Sequence, residues 1–326
     1  MMKRKAFIAA LSAAALAWCA CVHAQGFPVR PVTLVSSFPA GSGNDLVARA
    51  VAPALGEVLG QPVIVDNRPG AGGAIGAQYV ARARPDGYTL YLASLSFSVL
   101  PSLMSLSFDP VKDFEAVMLM GEQGMAFVVP TSLPAGSMKE LVALAKARPG
   151  HLNYASAGVG SIGHLTGELL KSEQGLNIVH VPFKGTPEAM ESVITGQVQM
   201  SLVAMPAAEP QIKAGKLKAL GVTGKARYEG LPDVPTMAEA GFPSISDSVW
   251  YAVLAPANTP REIVDQLNAA LRKVVADPVT VERLKRSAKA EPASSTPQEA
   301  QAYVRAQVAK WGAVAKKAGL QPQAAK

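Results

Sequence analysis

The sequence predicts an α/β protein with two lobes. Runs typical of strands alternate with runs typical of helices, which favours a parallel or mixed sheet flanked by helices. The alternation occurs twice, before about residue 100 and from about 125 to 225, and a helical segment then follows to the C terminus. We therefore expect a discontinuous domain I (25–124 and 225–326) and a domain II (125–224). Two crossing segments would form a hinge beside a cleft.

In domain I, β-branched runs predict strands over 31–37, 62–66 and 88–93, and apolar spacing predicts helices over 44–59 and 74–83. Pro53 lies inside the first helix and predicts a kink or a break. Ser94, Ser96 and Ser98 are expected to end the third strand with alternating hydroxyls, one face of which lines the cleft.

In domain II, the same criteria predict strands over 126–130, 153–156, 178–183, 198–205 and 217–223 and helices over 138–147, 164–173 and 187–196. A proline-rich loop over 231–236 separates this lobe from the remaining elements. They are a strand over 249–254 and helices beginning near Pro260, Pro278 and Pro297, where proline occupies its favoured first helical position.

The N terminus has the order of a secretory leader. Met1–Lys5 is basic, the run from Ala6 to Cys19 is apolar, and small residues precede a cleavage site expected after Ala24. The apolar run is too short to span a bilayer. We therefore predict a signal peptide over 1–24 and a soluble periplasmic product without Cys19 and Cys21. Such a chain has no disulfide and no thiolate ligand for a metal.

The charge balance is mildly basic. The whole chain carries a formal net charge of +7, which falls to +4 when Lys3, Arg4 and Lys5 leave with the leader. No run of five basic residues occurs, so nucleic acid is not an expected partner. A modest positive field would instead assist the capture of acids.

Four glycine-containing turns join a predicted strand to a predicted helix: 38–45, 67–76, 157–164 and 183–187. At each turn the free N–H groups of the helix and the positive end of its dipole point out of the sheet edge, a geometry that binds anions. No strong catalytic constellation accompanies them. The chain is therefore predicted to bind an anion and not to transform it.

The first turn is the strongest candidate site. Gly41 and Gly43 allow close backbone approach, and Ser42 and Asn44 add hydrogen-bonding groups, while Asp45 serves the turn or the first helical turn. An ordinary strand-to-helix turn is the alternative interpretation.

The second and fourth turns have simpler alternatives. The second is predicted to support the first lobe, with Arg68 pairing with Asp66 or Asp86. In the fourth, Lys184 and Gly185 place a cation beside a helix N terminus, although Lys184 also fits a solvated residue.

The third turn matches the dinucleotide pattern G-x-G-x-x-G over 158–163. That interpretation is disfavoured because Lys184 stands near the position of the required acid and because the leader directs the chain out of the cytoplasm.

Ser161 and His164 suggest a nucleophile and a base, but Val159 breaks the G-x-S-x-G pattern. His164 is expected to donate to the ligand or to be satisfied by backbone. His151 and His180 lack metal-ligand spacing, so neither a metal nor a cofactor is expected.

Together the motifs resemble the extracytoplasmic solute receptors of the tripartite tricarboxylate transporter system, the Bug family. The resemblance is carried, in family order, by Pro31-Val-Thr-Leu-Val-Ser-Ser-Phe-Pro-Ala-Gly, Val65-Asp-Asn-Arg-Pro-Gly-Ala-Gly-Gly-Ala-Ile-Gly, Pro85-Asp-Gly-Tyr-Thr-Leu, Leu152-Asn-Tyr-Ala-Ser-Ala-Gly, Gly160-Ser-Ile-Gly-His-Leu, Val181-Pro-Phe-Lys-Gly and Leu231-Pro-Asp-Val-Pro-Thr-Met-Ala-Glu-Ala-Gly.

The resemblance implies a type II periplasmic-binding-protein fold, in which two α/β domains close on a carboxylate held partly through water and backbone amides. It implies a receptor that is not an enzyme and has no cofactor. The resemblance also implies a monomer that serves inner-membrane permease subunits or, alternatively, a sensor kinase. The ligand-binding residues expected from the turns and the resemblance are Phe38, Ala40, Gly41, Ser42, Asn44, Asp45, Ser94, Ser96, Gly160, Ser161, His164, Lys184, Gly185, Ala204 and Met205.

One departure from the family pattern bears on the ligand. Family members often carry an acid after the Gly196-Gln-Val motif, and amine-binding members use an acid in the next pocket segment, but this chain has none over 199–206. An unpaired ammonium would cost several kcal/mol. We therefore expect an aromatic or dicarboxylic acid without an amine, with Val203–Met205 contacting its apolar part. A secreted hydrolase using Ser161 and His164 is the alternative from a different class.

Overall fold

The computed structural model describes residues 26–322. The predicted signal peptide over 1–24 lies outside the described residues. Within them, no helix has both the length and the hydrophobicity needed to cross a bilayer. The described chain folds around two mixed sheets, and its overall class agrees with the predicted α/β type.

The first sheet has six strands in the order β11-β4-β10-β3-β1-β2. These strands are β1 (Val32–Ser36), β2 (Val63–Asn67), β3 (Thr89–Ser94), β4 (Phe114–Gln123), β10 (Val249–Pro256) and β11 (Ala290–Pro292). β1 lies parallel to β2 and β3, whereas β10 is antiparallel to β3 and β4. In this register Ser36 pairs with both Asn67 and Leu92, so three parallel strands end at one sheet edge.

Helices cover both faces of this sheet and complete the six-stranded lobe. They are α1 (Gly43–Leu59), α2 (Ala74–Ala81), α3 (Leu95–Leu103), α8 (Arg261–Ala276), α9 (Pro278–Arg283) and α10 (Pro297–Lys317). α1 and α8 bury apolar side chains against one face, and α2, α3 and α10 bury theirs against the other. The apolar face of α8, for example, places Val264, Leu267 and Leu271 in the core, four or three residues apart as a helix requires.

The second sheet has five strands in the order β7-β6-β8-β5-β9 and forms the five-stranded lobe. The strands are β5 (Met125–Pro130), β6 (Asn153–Ser156), β7 (Val179–Pro182), β8 (Met200–Ala204) and β9 (Leu217–Val222), and the helices are α4 (Met138–Ala147), α5 (Ile162–Gln174), α6 (Thr186–Ile194) and α7 (Met205–Lys213). β6 runs parallel to β7 and β8, so the third and fourth turns also leave one sheet edge together.

The chain passes between the lobes at two adjacent points. Gly124 links β4 to β5, and the segment after β9 leads back toward β10. Met125 and Thr223 hold these passages together, because Met125 N donates to Thr223 Oγ1 (2.9 Å) and Thr223 N donates to Met125 O (2.8 Å). A hinge would bend at these two hydrogen-bonded passages. The domain limits at residues 124 and 224 remain predictions.

The structure differs in four places from what the sequence led us to expect. Pro53 does not break α1, which continues through it as one helix, so one of the two predicted alternatives is wrong. The strand expected over 198–205 ends at Ala204, and Met205 begins α7. Residues 114–123, which received no prediction, form the long strand β4.

The fourth difference concerns the serines after β3. The strand ends at Ser94, and Ser96 and Ser98 belong to α3, so they do not alternate across a strand. The reason is visible in the apolar spacing of Leu95, Val99 and Leu103, which is that of a helix. Ser98 is buried and donates its hydroxyl to Leu95 O (2.6 Å) within the same helix.

Candidate functional site

A cavity of about 450 Å³ lies between the two lobes. The residues that line it come from the carboxyl edges of both sheets. Those of the six-stranded lobe are Phe38, Ser42, Gly43, Asn44, Gly72, Ser94, Leu95, Ser96, Val99, Leu100, Leu103, Gln123, Val249 and Tyr251, and those of the five-stranded lobe are Ala157, Val159, Gly160, Ser161 and Ile162. Its volume lies in the range typical of small-molecule sites.

Three helices begin at this cavity, and a serine stands at the N-cap position of each. Ser42 is the N-cap of α1, Ser94 of α3 and Ser161 of α5, and all three line the cavity. The first N–H groups of a helix have no partner within it, and the helix dipole places partial positive charge there. The three N termini therefore give the cavity N–H donors and a positive potential.

The three capping serines differ in how their hydroxyls are used. Ser42 Oγ accepts from Asp45 N (3.3 Å) and Ser161 Oγ accepts from His164 N (3.4 Å), so both close their first helical turns. Ser94 makes no capping bond, and its Oγ lies 3.1 Å from Ser96 Oγ instead. Ser94 and Ser96 thus offer a pair of hydroxyls at the start of α3.

A network beneath the first turn fixes its shape. Asn44 accepts from Ser36 Oγ (2.7 Å) and donates to Leu92 O (3.1 Å), which ties the start of α1 to β1 and β3. Asp45 is buried and accepts from Gly41 N (2.8 Å). Both side chains are therefore committed to the scaffold that presents the turn.

Asp45 completes that network by accepting from the side chains of Arg49 and Asn67 (2.9 and 2.8 Å). Burial is the largest single influence on its pKa and would raise it. The hydrogen bonds from Gly41, Arg49 and Asn67 together outweigh burial and lower the pKa, so the carboxylate stays ionised. Its charge is balanced within the turn.

Opposite the first turn, Tyr251 and Gln123 add polar groups. Tyr251 is buried, and its hydroxyl lies 3.5 Å from Gln123 Oε1, a length at which a hydrogen bond is weak. A Cβ added to Gly43 would lie 3.1 Å from Tyr251 Oη, so this hydroxyl sits against the start of α1. Burial raises the pKa of Tyr251, which keeps the hydroxyl a neutral donor.

The rest of the cavity wall is apolar. Leu95, Val99, Leu100, Leu103 and Val249 face Val159 and Ile162 across it. None of the described residues that line the cavity carries a formal charge. An anion held here would therefore meet helix N termini and hydroxyls at one part of the cavity and apolar side chains elsewhere.

The structure brings seven of the predicted site residues into the cavity lining: Phe38, Ser42, Asn44, Ser94, Ser96, Gly160 and Ser161. It places Ala40, Gly41, Asp45, His164, Lys184, Gly185, Ala204 and Met205 outside that lining. Gly41 and Asp45 support the first turn as described above, and Gly185 caps α6.

Lys184 and the Val203–Met205 segment occupy places that sequence reasoning did not anticipate. Lys184 is exposed, and its backbone N–H donates to Glu188 Oε2 (3.2 Å). Val203 and Met205 are packed in the apolar core of the five-stranded lobe, and Met205 N donates to Gly124 O (3.0 Å) at the crossing. Met205 begins α7 and is turned into the core. The apolar wall comes instead from α3, from β10 and from Val159 and Ile162 of the third turn and α5.

The second turn contributes more than support. Arg68 pairs with Asp66 (2.6 Å), as one predicted alternative states, and Gly76 packs so closely on Ser37 that a Cβ would lie 2.5 Å from its Oγ. Gly72, however, lines the cavity. The turn therefore both braces the lobe and forms part of the wall.

Sequence reasoning missed Gln123, Leu103, Val249 and Tyr251. Val249 and Tyr251 lie on a predicted strand, but alternation does not say which face meets the cavity. Gln123 lies on β4, for which no element was predicted. Leu103 was recoverable from the helical spacing of α3.

Ser161 and His164 do not form a nucleophile–base pair. The hydroxyl of Ser161 accepts from the backbone N–H of His164, and His164 Nδ1 accepts from Gly160 N (3.0 Å). The imidazole therefore does not activate the serine in this geometry.

Two α/β lobes around a cavity lined by helix N termini define a bilobal solute-binding receptor. The family model described as tripartite tricarboxylate transporter family receptor matches residues 47–320, and the chain belongs to that family. The chain is thus a periplasmic solute-binding receptor and not an enzyme, in agreement with the prediction.

Solved structures of relatives share the fold over nearly their whole length. The periplasmic binding protein BugD is 37% identical with a TM-score of 0.74, covering 91% of this chain and 100% of its own. Rpa4515 of R. palustris, solved with adipate, is 36% identical with a TM-score of 0.77 at the same coverage. MatC of Rhodopseudomonas palustris, solved with bound malate, is 32% identical with a TM-score of 0.73, covering 89% of this chain and 100% of its own.

Proposed function

We propose that this receptor captures a small carboxylate without an amine, either an aromatic or a dicarboxylic acid, in the periplasm and delivers it to the inner-membrane subunits of a tripartite transporter. The observation that carries the proposal is the convergence of three serine-capped helix N termini on a cavity whose described lining is uncharged. Such termini favour carboxylates over cations.

The expected binding energy is sufficient. A helix N terminus stabilises an anion by roughly 0.3–2 kcal/mol, and a hydrogen bond to a charged group contributes about 1.5–3 kcal/mol. Two or three such contacts together with apolar burial reach the ~8 kcal/mol of micromolar affinity after ordering costs. No cationic side chain is required.

The apolar wall restricts the rest of the ligand. Leu95, Val99, Leu103 and Val249 suit a hydrocarbon chain or ring. Adipate, which the relative Rpa4515 holds, is a dicarboxylate with such a chain, and malate, which MatC holds, is also a dicarboxylate. An amino acid would bring an ammonium group into a lining without a carboxylate partner, which is costly.

Matched acids test the ligand class. Glutarate and glutamate differ only by the α-amine, so isothermal titration of the purified mature protein with both isolates its effect. We expect at least a tenfold preference for glutarate and a rise in melting temperature with adipate or benzoate. A preference for glutamate, or no response to any acid of the panel, would refute the proposed ligand class.

Delivery requires a separate test. Cells that lack the receptor should lose uptake of the acid identified above and regain it when the receptor is expressed again. The predicted signal peptide supports export to the compartment where this delivery occurs. Unchanged uptake with a lost transcriptional response to the acid would favour the sensor-kinase partner instead.

A further inference from the structure

We propose that His164 is a positioning residue, which holds residues 157–161 of the third turn in their cavity-lining shape by accepting a hydrogen bond as a neutral imidazole. The effect on ligand affinity rests on the function proposed above, whereas the effect on the turn does not. Three of the turn's residues after Gly158 line the cavity: Val159, Gly160 and Ser161. The shape of this turn therefore decides one wall of the site.

The contact with Gly160 is specific. Gly160 N donates to His164 Nδ1 at 3.0 Å, and both residues are buried. Gly160 has φ +79°, a conformation that glycine adopts readily and that a local hydrogen bond helps to hold. A buried N–H without an acceptor is costly, so loss of the Nδ1 lone pair would favour a different turn conformation.

A second imidazole holds the other end of the turn. His180 Nε2 lies 2.6 Å from Ser156 Oγ, and that oxygen accepts from Gly158 N (3.1 Å). The rings of His164 and His180 stack with their centroids 4.0 Å apart and an angle of 18° between their planes. The two imidazoles thus support the turn as one unit behind the cavity wall.

Protonation would break this arrangement. A proton on Nδ1 of His164 removes the acceptor and places a donor against the N–H of Gly160. The charged and titratable groups around the ring are Glu168 and Lys171 on α5, Tyr154 on β6 and His180 on β7. Glu168 would favour the cation, but it accepts from Tyr154 Oη (2.7 Å) and pairs with Lys171 (3.4 Å).

Burial is the main reason that the pKa of His164 is lowered, and Lys171 adds to the effect. For His180, burial and then the neighbouring His164 lower the pKa to about 4. Both rings are therefore neutral at neutral pH, and the acceptor at Nδ1 is present under the conditions where the receptor works.

Substitution of His164 by asparagine keeps an acceptor for the Gly160 N–H and removes the group that can become charged. Asparagine places an amide oxygen close to the position of Nδ1 and does not titrate. We would measure hydrogen-exchange protection factors of the third turn from pH 4 to 8, without ligand, in wild type, His164→Asn and His164→Leu. His151→Asn is the matched control because His151 is exposed.

The wild type should lose protection of the Gly160 N–H by about tenfold as the pH falls through the lowered pKa of His164, whereas His164→Asn should lose less because only His180 still titrates beside the turn. His164→Leu should lack it at every pH, and His151→Asn should follow the wild type. Equal protection in the leucine and wild-type proteins, or the same pH profile in His164→Asn as in wild type, would overturn the proposal.

The effect on ligand binding is measured by titrating the same four proteins with glutarate and adipate. His164→Leu should bind about tenfold more weakly at pH 7.5, and His164→Asn should bind with wild-type affinity there and lose less at pH 5. If neither acid binds any of the proteins, the proposed function fails while the exchange result still decides the role of His164. Wild-type affinity in a His164→Leu protein that has lost protection would overturn the positioning role.

Discussion

Leu103 of α3 lies directly on the backbone of Gly160 across the cleft. A Cβ built on Gly160 would come within 2.4 Å of Leu103 Cδ2, far closer than two carbon atoms can approach. Leu103 belongs to the six-stranded lobe and Gly160 to the third turn of the five-stranded lobe. The absence of a side chain at Gly160 therefore sets how closely the two lobes meet beside the cavity.

Gly160→Ala should weaken carboxylate binding by about tenfold or more, because the new methyl group would separate the third turn from Leu103 and open the cavity. Calorimetric titration with the acid that binds wild type measures the effect. Gly196→Ala is the matched control, since Gly196 has φ +77° but no atom within 4 Å of its added Cβ. Both variants should lose stability from the left-handed backbone, about 1–2 kcal/mol. Equal affinities in the two variants would show that the contact with Leu103 is unimportant for binding.

Ser94→Ala should lower carboxylate affinity with little change in stability, because the Ser94 hydroxyl caps no backbone N–H. A lost hydrogen bond to a charged ligand corresponds to about 1.5–3 kcal/mol of binding free energy. Ser137→Ala is the control, because Ser137 caps α4 by accepting from Glu140 N (3.2 Å) and does not line the cavity. It should cost about 0.5–2 kcal/mol of stability and leave affinity unchanged. If Ser94→Ala lowered stability and left carboxylate affinity unchanged, Ser94 would not belong to the proposed site.

Tyr251→Phe should reduce affinity by roughly threefold to tenfold through loss of one neutral donor. The stability of the unliganded protein should change little, because the one hydrogen bond of this hydroxyl to a residue within 26–322 is the long 3.5 Å contact with Gln123. Urea unfolding and ligand titration on the same preparation separate the two effects. Since burial raises the pKa of Tyr251, the ratio of the two affinities should not vary between pH 6 and 9. A variant that loses stability and keeps its affinity would assign the hydroxyl to the scaffold.

Glu209 links the two lobes behind the crossing segments. Its carboxylate, 6% exposed on α7, accepts from Lys213 (2.7 Å) and Tyr228 (3.0 Å) and pairs with Lys289 (3.2 Å) beside β11. Glu209→Ala should lower the free energy of unfolding by about 1–3 kcal/mol, because the Tyr228 hydroxyl and the two lysines lose the buried carboxylate to which they donate. Glu229→Ala, with a side chain 87% exposed, should change it by less than about 0.5 kcal/mol.

The same carboxylate predicts a pH dependence. Burial is the largest single influence on the Glu209 pKa and raises it, but the contacts with Lys213, Tyr228 and Lys289 together bring the pKa below its ordinary 4.5. Its stabilising contribution is therefore complete above about pH 4.5 and is lost as the pH falls through the lowered value. Urea unfolding at pH 7 and pH 3.5 should show a smaller difference between Glu209→Ala and wild type at the lower pH. A difference that grows on acidification would contradict this account.

Sequence reasoning located the turns better than the side chains within them. Ser42, Ser94 and Ser161 were predicted site residues and line the cavity, because strand-to-helix turns have local signals in glycine and capping residues. Met205 and Lys184 were placed in the site too, yet one is buried in a lobe core and the other is exposed outside the lining. Their directions depend on where β8 ends and how α6 and α7 pack, and such boundaries are weakly encoded in local sequence.

The sequence by itself determined the α/β class, the family and the positions of the glycine-containing strand-to-helix turns, since these follow from periodicity, glycine placement and motif order. Only the tertiary structure decided that Leu103 meets Gly160, that Tyr251 lies against the start of α1 and that His164 lies outside the cavity lining, where its Nδ1 accepts from Gly160 N. The first two of these relationships join residues that are far apart in the chain. They are set by strand register and by the approach of two packed lobes, which no local pattern specifies.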